Sequence, residues 1–216
     1  NKGALILIDA AQSIGHQEID VKNINCDFLV FSGHKILGPT GIGCLYIKEN
    51  LLGDLSPYQT GGQMIDRVEE KQSTWNDIPL RFEAGTPNIA GVIGLSAALD
   101  YLAELGMKRI QSHNQLITEY CLEGLKRINN LKVYGHEHKS GPVISFNIEG
   151  IHSYDLTQLL SQQNIYIRSG HHCAQPIMKK LNIESSNRAS LYIYNNKKDI
   201  DNFIEGIKKS IQILTG

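Results

Sequence analysis

The first 50 residues alternate between short apolar runs and turns that contain glycine or proline. The apolar runs at residues 4–8, 28–31 and 42–47 have the length and composition of β-strands. All four residues of the run at 28–31 are apolar, which predicts a strand that is buried on both faces. This part of the chain is therefore predicted to supply strands to one sheet.

Helical periodicity replaces the strand pattern further along the chain. Apolar residues recur at steps of three and four from Ile89 to Leu105, and Gly106 ends the pattern. A second helix is predicted over residues 110–128 by the same periodicity. The two helices are expected to lead from one domain into the next.

The segment between the strands and the helices has no sustained period over residues 51–81. This predicts a long ordered excursion rather than a core element. It is followed by Thr86 and Pro87, which are typical of a helix start because threonine caps a helix and proline suits its first turn.

Strand and helix patterns are mixed in the remainder of the chain. They predict strands at residues 131–134, 143–148 and 165–168, and helices near residues 153–163, 175–181 and 197–213. Such a mixture is typical of a compact α+β domain. We divide the chain into two domains, residues 1–99 and residues 100–216.

Lys35 lies on a glycine-flanked turn directly after the apolar run at 28–31. The end of a strand is where α/β proteins commonly bind ligands. A partly desolvated lysine next to His34 is a candidate for Schiff-base chemistry, because a lowered pKa leaves the amine free. The alternative is an ordinary surface lysine in a loop.

Asp9 ends the first apolar run, and an acid at the end of a buried strand is a candidate site residue. The alternative is that Asp9 caps a helix that begins at Ala10. The run itself does not decide between these two interpretations.

The four cysteines are Cys26, Cys44, Cys121 and Cys173, and none of them forms a C-x-x-C pair. This argues against a zinc ribbon or a disulfide scaffold, and it favours a reducing compartment. The first three have apolar neighbours and are predicted to be small core residues.

Cys173 differs because it follows His171 and His172 in a loop that runs from Ser169 to Pro176. Imidazoles and the start of a following helix both favour the thiolate that a nucleophilic cysteine needs. A metal site is the main alternative, but three consecutive residues of an extended loop cannot converge on one ion.

The charge balance excludes some partners. Twenty-one basic and 22 acidic residues give a net charge of −1, so neither nucleic acid nor an anionic membrane is expected to bind. No apolar run approaches the roughly 20 residues of a membrane span. With 41% hydrophobic residues, the chain can bury a sizeable core.

Three motifs in this order resemble one enzyme family: Leu-Ile-Asp-Ala-Ala-Gln at 7–12, Ser-Gly-His-Lys at 32–35, and Arg-Ser-Gly-His-His-Cys-Ala-Gln-Pro at 168–176. They resemble the pyridoxal-phosphate (PLP) core and cysteine loop of group II, SufS-type cysteine desulfurases of the class V aminotransferase family. The resemblance implies an α/β PLP-dependent transferase fold of type I. The chain would then hold the end of the large domain and a small α+β C-terminal domain.

The resemblance also implies roles for individual residues. The expected PLP-binding residues are Asp9, Gln12, Ser32, His34, Lys35 and Thr86. Lys35 would carry PLP, Asp9 would keep its ring nitrogen protonated, and Thr86 would reach the phosphate of a neighbouring subunit near the Gly61–Gly62 turn. Cys173 would attack the sulfur of a substrate cysteine. Arg188 would clamp the substrate carboxylate, with Arg168 as a second candidate.

The implied partners are L-cysteine, a second subunit in a homodimer, and a sulfur-acceptor protein of iron–sulfur cluster assembly, in the cytoplasm or a reducing organelle. Family members begin well upstream of the Asp-x-x-Gln strand, so we expect this chain to match only the C-terminal portion of such an enzyme. Whether the chain alone binds PLP or turns over stays open.

Two other functions also stay open. A selenocysteine lyase or another class V enzyme would share Asp9, Gln12, Lys35 and Arg188. A catalytically silent binding module could instead offer Cys173 as a sulfur acceptor.

Overall fold

The computed structural model of the chain describes residues 2–135 and 141–216. The chain forms two compact units, Asn1–Met107 and Lys108–Gly216, here called unit 1 and unit 2. The assignment of residues 1–99 and 100–216 to the two domains of the family stays a prediction.

Unit 1 combines a small sheet, a hairpin and a long helix. Its strands are β1 (Leu7–Asp9), β2 (Phe28–Ser32), β3 (Gly43–Ile47), β4 (Ile65–Val68) and β5 (Ser73–Trp75). Its α-helices are α1 (Val21–Ile24) and α2 (Ile89–Leu105), and 3-10 helices span Gly33–Ile36, Glu49–Asp54 and Leu80–Phe82. β1 pairs with β2 in parallel, β2 pairs with β3 antiparallel, and β4 and β5 form a separate antiparallel pair.

The prediction that the run at 28–31 is buried on both faces is wrong. In β2 only Leu29 is buried, where it packs with Ala10 and Cys26. β1 is an edge strand, and Leu7 is 60% exposed. The sheet therefore packs a core on one face, although its strands have the apolar composition of strands covered on both faces.

Of the two predictions about the connecting segments, the first is confirmed and the second is wrong. Residues 51–81 form an ordered, mostly exposed excursion around the β4–β5 hairpin, in which Met64 is buried. Helix α2 is capped by Asn88, whose side chain accepts a hydrogen bond from Gly91 N at 2.9 Å. Thr86 therefore lies before the cap, outside the helix. The predicted end of α2 at Gly106 is confirmed.

Unit 2 is an antiparallel sheet covered by helices. Its helices are α3 (Met107–Lys126, which begins at the unit boundary), α4 (Ser153–Ser161), α5 (Gln175–Leu181) and α6 (Lys197–Thr215). Its strands are β6 (Leu131–Tyr134), β7 (Val143–Ile148), β8 (Arg168–Gly170) and β9 (Ser186–Ser190), in the sheet order β6-β7-β9-β8. The predicted strands at 131–134 and 143–148 and the helix at 175–181 are confirmed, whereas the strand predicted at 165–168 begins only at Arg168.

The core of unit 2 lies between one face of this sheet and helices α3, α4 and α6. Along β7 the buried residues alternate with half-buried ones, as expected for a strand with one covered face. Phe146 of β7 is fully buried and meets Phe203 of α6 edge to face, with ring centroids 5.9 Å apart. Cys121 of α3 belongs to the same core, and burial raises the pKa of its thiol to about 12.

Within the described residues, no single helix has both the length and the apolar character to cross a membrane. Helices α2 and α3 together reach those limits by length and composition, but they bend by 76° where they join.

We predict that Phe146→Ala opens the core of unit 2, because removing a buried phenylalanine costs about 3–5 kcal/mol. Cys121 is a built-in probe, since its buried thiol becomes reactive only when this core opens. Its alkylation by a small thiol reagent should accelerate at least about a hundredfold.

Val143→Ala is the matched control, because Val143 is a half-buried residue on the other face of the same strand. Its effect on Cys121 alkylation should stay within about fivefold, the equivalent of about 1 kcal/mol. Equal acceleration in both variants would contradict the packing described above.

Candidate functional site

The turn after β2 holds Lys35 on a rigid support. Gly33 N donates to Ile42 O at 2.8 Å, and Gly38 N donates to Gly33 O at 2.9 Å. A Cβ on Gly33 would lie only 2.9 Å from the Ile42 Cγ2 atom, so the chain passes too close for a larger residue. Lys35 and its neighbour His34 are exposed on this turn. The position of Lys35 at the end of a strand agrees with the sequence pattern, but the expected partial desolvation is wrong, because its side chain is exposed.

Asp9 lies at the same edge of the sheet as this turn. β1 and β2 are parallel, so the carboxyl end of β1 at Asp9 is next to the carboxyl end of β2. The Asp9 Oδ1 atom accepts a hydrogen bond from Ala11 N at 2.9 Å, and no other described group donates to this carboxylate. Residues 11–16 form turns, so the alternative that Asp9 caps an α-helix is wrong.

The other predicted cofactor residues also lie in unit 1. Gln12 is exposed in the turns that follow Asp9, and Ser32 is half-buried at the end of β2. Thr86 is exposed directly after Gly85, whose N donates to Gly62 O at 2.9 Å. The loop that carries Thr86 is therefore joined to the Gly61–Gly62 turn.

These residues have the chemistry that PLP needs from a protein. An accessible amine on a fixed turn and a carboxylate with a free oxygen lie at one end of two parallel strands. PLP requires an amine for its aldehyde carbon and an acidic partner for its ring nitrogen. The side chains present in unit 1 thus fit this cofactor.

A pair of arginines dominates the polar face of the sheet in unit 2. Arg168 on β8 is the direct cross-strand partner of Arg188 on β9. Two like charges in this position repel each other unless an anion lies between or beside them. The Arg188 Nε atom is buried and makes no hydrogen bond. Burial, and to a smaller extent the charge of Arg168, lowers the pKa of Arg188, whereas Cys173 raises it.

Cys173 is exposed on the loop between β8 and α5. His172 and Cys173 both adopt left-handed backbone conformations, with φ values of 53° and 58°. This conformation costs about 1–2 kcal/mol for each residue that is not glycine, so other contacts must hold it. Ala174 N closes the turn by donating to His171 O at 2.8 Å.

His172 makes a contact from this loop to the sheet. Its Nε2 atom lies 2.9 Å from Ser186 O on β9. Its Nδ1 atom is buried and has no hydrogen-bond partner. Burial lowers the pKa of His172, and the charges of Arg188, Arg168 and His171 lower it further, while the bond to Ser186 opposes them.

Two details of the predicted cysteine chemistry change. Cys44 is exposed on β3 and is not a core residue, although Tyr46 on the same face of the strand packs against the core, whereas Cys26 and Cys121 are buried as predicted. The helix after Cys173 does form, with Pro176 in its first turn, but α5 has only seven residues and no side chain caps it. The described residues contain no group of three or more histidines, cysteines or acids arranged to hold a metal ion.

The sequence did not reveal the bond between His172 and Ser186 or the pairing of Arg168 with Arg188. Both depend on the register between β8 and β9, which are separated by a loop and a helix. Residues 186 and 188 lie on one face of any strand that contains both, because side chains alternate along a strand. This alternation is the sequence feature that could have indicated that Ser186 and Arg188 lie together.

Comparison with known proteins gives this chain many relatives. It is 46% identical over 208 residues to a probable cysteine desulfurase from Halalkalibacterium halodurans. The alignment covers 96% of this chain and 51% of that protein. It is 44% identical over 206 residues to a cysteine desulfurase from Haloferax volcanii. This alignment covers 95% of this chain and 48% of that protein. The chain thus spans about half the length of these relatives.

Two solved structures have the same fold. The cysteine desulfurase CsdA from Escherichia coli superimposes with a TM-score of 0.93 at 36% identity, over 98% of this chain and 52% of that one. The apo structure of a cysteine desulfurase from Thermococcus onnurineus NA1 superimposes with a TM-score of 0.93 at 41% identity, over 97% of this chain and 53% of that one. These matches confirm the predicted aminotransferase-like α/β fold.

The family model for class V aminotransferases matches residues 1–203, which is most of the chain. Its extent includes the Lys35 turn, the Asp9 strand and the Cys173 loop. The chain therefore belongs to the class V aminotransferase family.

Proposed function

We propose that this chain forms part of a PLP-dependent cysteine desulfurase, which converts L-cysteine to L-alanine and leaves a persulfide on the enzyme. The observations that carry the proposal are an exposed Cys173 on the loop after β8 and Arg188, the residue that faces Arg168 across the strands. Such a site combines a nucleophile with a place for the substrate carboxylate. The similarity to cysteine desulfurases over more than nine-tenths of the chain supports the same reading.

The cofactor role belongs to unit 1 in this proposal. Lys35 would hold PLP through its amine, Asp9 would keep the proton on its ring nitrogen, and Gln12, Ser32 and His34 would be further cofactor-binding residues. Thr86 reaches the phosphate of a second subunit, which makes the active protein a homodimer with composite sites. When bound, PLP supplies an electron sink that stabilises negative charge on the substrate carbon beside the amine.

The substrate is positioned by Arg188 in this proposal, with help from Arg168. A guanidinium binds a carboxylate through two parallel hydrogen bonds, which is the chemistry that Arg188 offers. A bound carboxylate also relieves the repulsion between the two arginines. The arrangement therefore favours an amino acid over an uncharged thiol.

Cys173 then receives the sulfur. Its thiolate sulfur bonds to the substrate sulfur, and the bond between that sulfur and the substrate Cβ breaks. The electron pair of the broken bond stays with the carbon, which takes up one proton and becomes the methyl group of alanine. The sulfur leaves on Cys173 as a persulfide. We propose that a sulfur-acceptor protein of iron–sulfur cluster assembly takes it from there, as in a SufS-type enzyme.

The assignment of Lys35 is tested by reduction of the native protein that carries this chain. Borohydride treatment followed by peptide mapping should place the pyridoxyl group on Lys35. Lys48 provides an internal control, because its amine already pairs with the Asp27 carboxylate at 2.8 Å. A label on another lysine would remove Lys35 from the site.

Loss of Cys173 should separate cofactor binding from sulfur transfer. In the native protein, Cys173→Ala should keep the PLP absorbance while alanine formation falls by about a hundredfold or more, since covalent catalysis is lost. Cys44→Ala is the matched control, because Cys44 is also exposed but lies on β3. It should leave persulfide formation unchanged. Sulfide release at the parent rate from the Cys173 variant would refute the desulfurase proposal.

Arg188→Lys should weaken binding of L-cysteine, because lysine keeps the charge but loses the two parallel hydrogen bonds. We expect KM to rise by about tenfold or more, with a smaller change in kcat, in steady-state assays of alanine formation. Arg67→Lys serves as the control, since Arg67 is exposed and pairs with Glu69 at the surface. If KM were unchanged in the Arg188 variant, the carboxylate would bind elsewhere.

A further inference from the structure

The loop that carries Cys173 needs a support outside itself. Its two consecutive left-handed residues, His172 and Cys173, are unfavourable, and such conformations persist only where the surroundings enforce them. Gly170 before the loop has a φ of 121°, which glycine adopts readily, so the strain starts after it. The described contact that joins the loop to the sheet is the one between His172 and Ser186.

The direction of this hydrogen bond defines the state of the imidazole. Ser186 O is a carbonyl oxygen and can only accept, so the proton must be on Nε2 of His172. In a neutral imidazole the Nδ1 atom then carries a lone pair. Nδ1 is buried without a partner, which suits a lone pair better than an unpaired N–H group.

The acceptor is well protected from water. Ser186 is fully buried, and it pairs with Gly170 at the end of the β8–β9 ladder, next to the start of the loop. A carbonyl at this point cannot easily exchange its partner for solvent. The bond from His172 therefore joins the loop to a fully buried position of β9.

We propose that His172 is a positioning residue, whose Nε2–H bond to Ser186 holds Cys173 in its left-handed conformation next to Arg188. The inference deepens the proposed function, since it rests on Cys173 being the sulfur-accepting nucleophile. His171, the other histidine of the loop, is exposed and has no positioning role in this proposal.

The hydrogen bond from His172 to Ser186, here called the tether, should weaken in acid. Burial disfavours the imidazolium of His172 most, and the positive charges of Arg188, Arg168 and His171 add to this effect. The bond to Ser186 opposes them, and Cys173 is the nearby thiol. The pKa of His172 therefore lies below its ordinary value of 6.5. The imidazole of His172 would take up a proton more easily in a released loop than in a loop that is held by the tether. Stability of the tether is therefore complete above about pH 6.5 and declines as the pH falls through and below that value.

The test measures loop order without relying on enzyme activity. The Ala174 amide, which closes the loop turn, reports opening by hydrogen exchange. In His172→Ala its exchange should accelerate about tenfold, as expected for the loss of one buried hydrogen bond. His172→Gln should restore most of the protection, because the glutamine amide can reach the Nε2 position, whereas the shorter side chain in His172→Asn should not.

A control variant and a pH series separate the tether from general packing. His171→Gln changes the adjacent exposed histidine and should leave Ala174 exchange at the parent level. Between pH 7 and pH 5, exchange relative to the intrinsic rate should rise in the parent and stay flat in His172→Gln. The nitrogen chemical shifts of His172 at pH 7 should show a protonated Nε2 and an unprotonated Nδ1.

The outcomes distinguish this inference from the proposed function. The proposal that His172 holds the loop would be wrong if Ala174 protection were unchanged in His172→Ala. It would also be wrong if His172→Gln and His172→Ala lost this protection equally. In the native protein, the rate of persulfide formation should follow the same order, with parent and His172→Gln above the asparagine and alanine variants. If the parent forms no persulfide at all, the proposed function fails, while the exchange data still decide whether His172 holds the loop.

Discussion

The pairing of β8 with β9 controls the chemistry of unit 2. Its register places Arg168 opposite Arg188 and Gly170 opposite Ser186. The first pair concentrates positive charge on one face of the sheet, and the second brings the end of β8 next to a buried carbonyl. A shift of one residue would turn the arginines to opposite faces and remove the acceptor for His172. The site therefore depends on the same hydrogen bonds that define the strand.

Close backbone approach has the equivalent role in unit 1. The turn after β2 is narrow enough to exclude a side chain at Gly33, and the parallel pairing of β1 with β2 brings Asp9 to the same edge as that turn. Under the proposed function, this fixed backbone limits the conformational entropy that is lost when Lys35 binds its ligand.

The two units use different means to present a reactive side chain. Lys35 lies within the short 3-10 helix Gly33–Ile36, whose backbone bonds are satisfied locally. Cys173 instead lies in a strained turn that draws support from another strand. Strained loops that depend on a single external contact respond to changes in that contact. This difference makes the cysteine loop the part of the described chain where a small chemical change has a large local effect.

The sequence alone determined the class of fold, most of the strands and helices of unit 2, and the candidate residues Lys35, Asp9, Cys173 and Arg188. These follow from periodicity and from short motifs, which are local properties of the chain. It predicted wrongly where an element depends on what covers it: β2 is buried on one face only, and Cys44 is exposed.

Only the tertiary structure decided the pairing of Arg168 with Arg188 and the bond from His172 to Ser186. It also showed that Asn88, not Thr86, caps α2, since a cap is defined by the backbone at the helix start and Thr86 is a good capping residue by type alone. Composition and spacing describe what each residue can do. Which partner it meets depends on strand register and burial, and these are set by contacts between residues far apart in the chain.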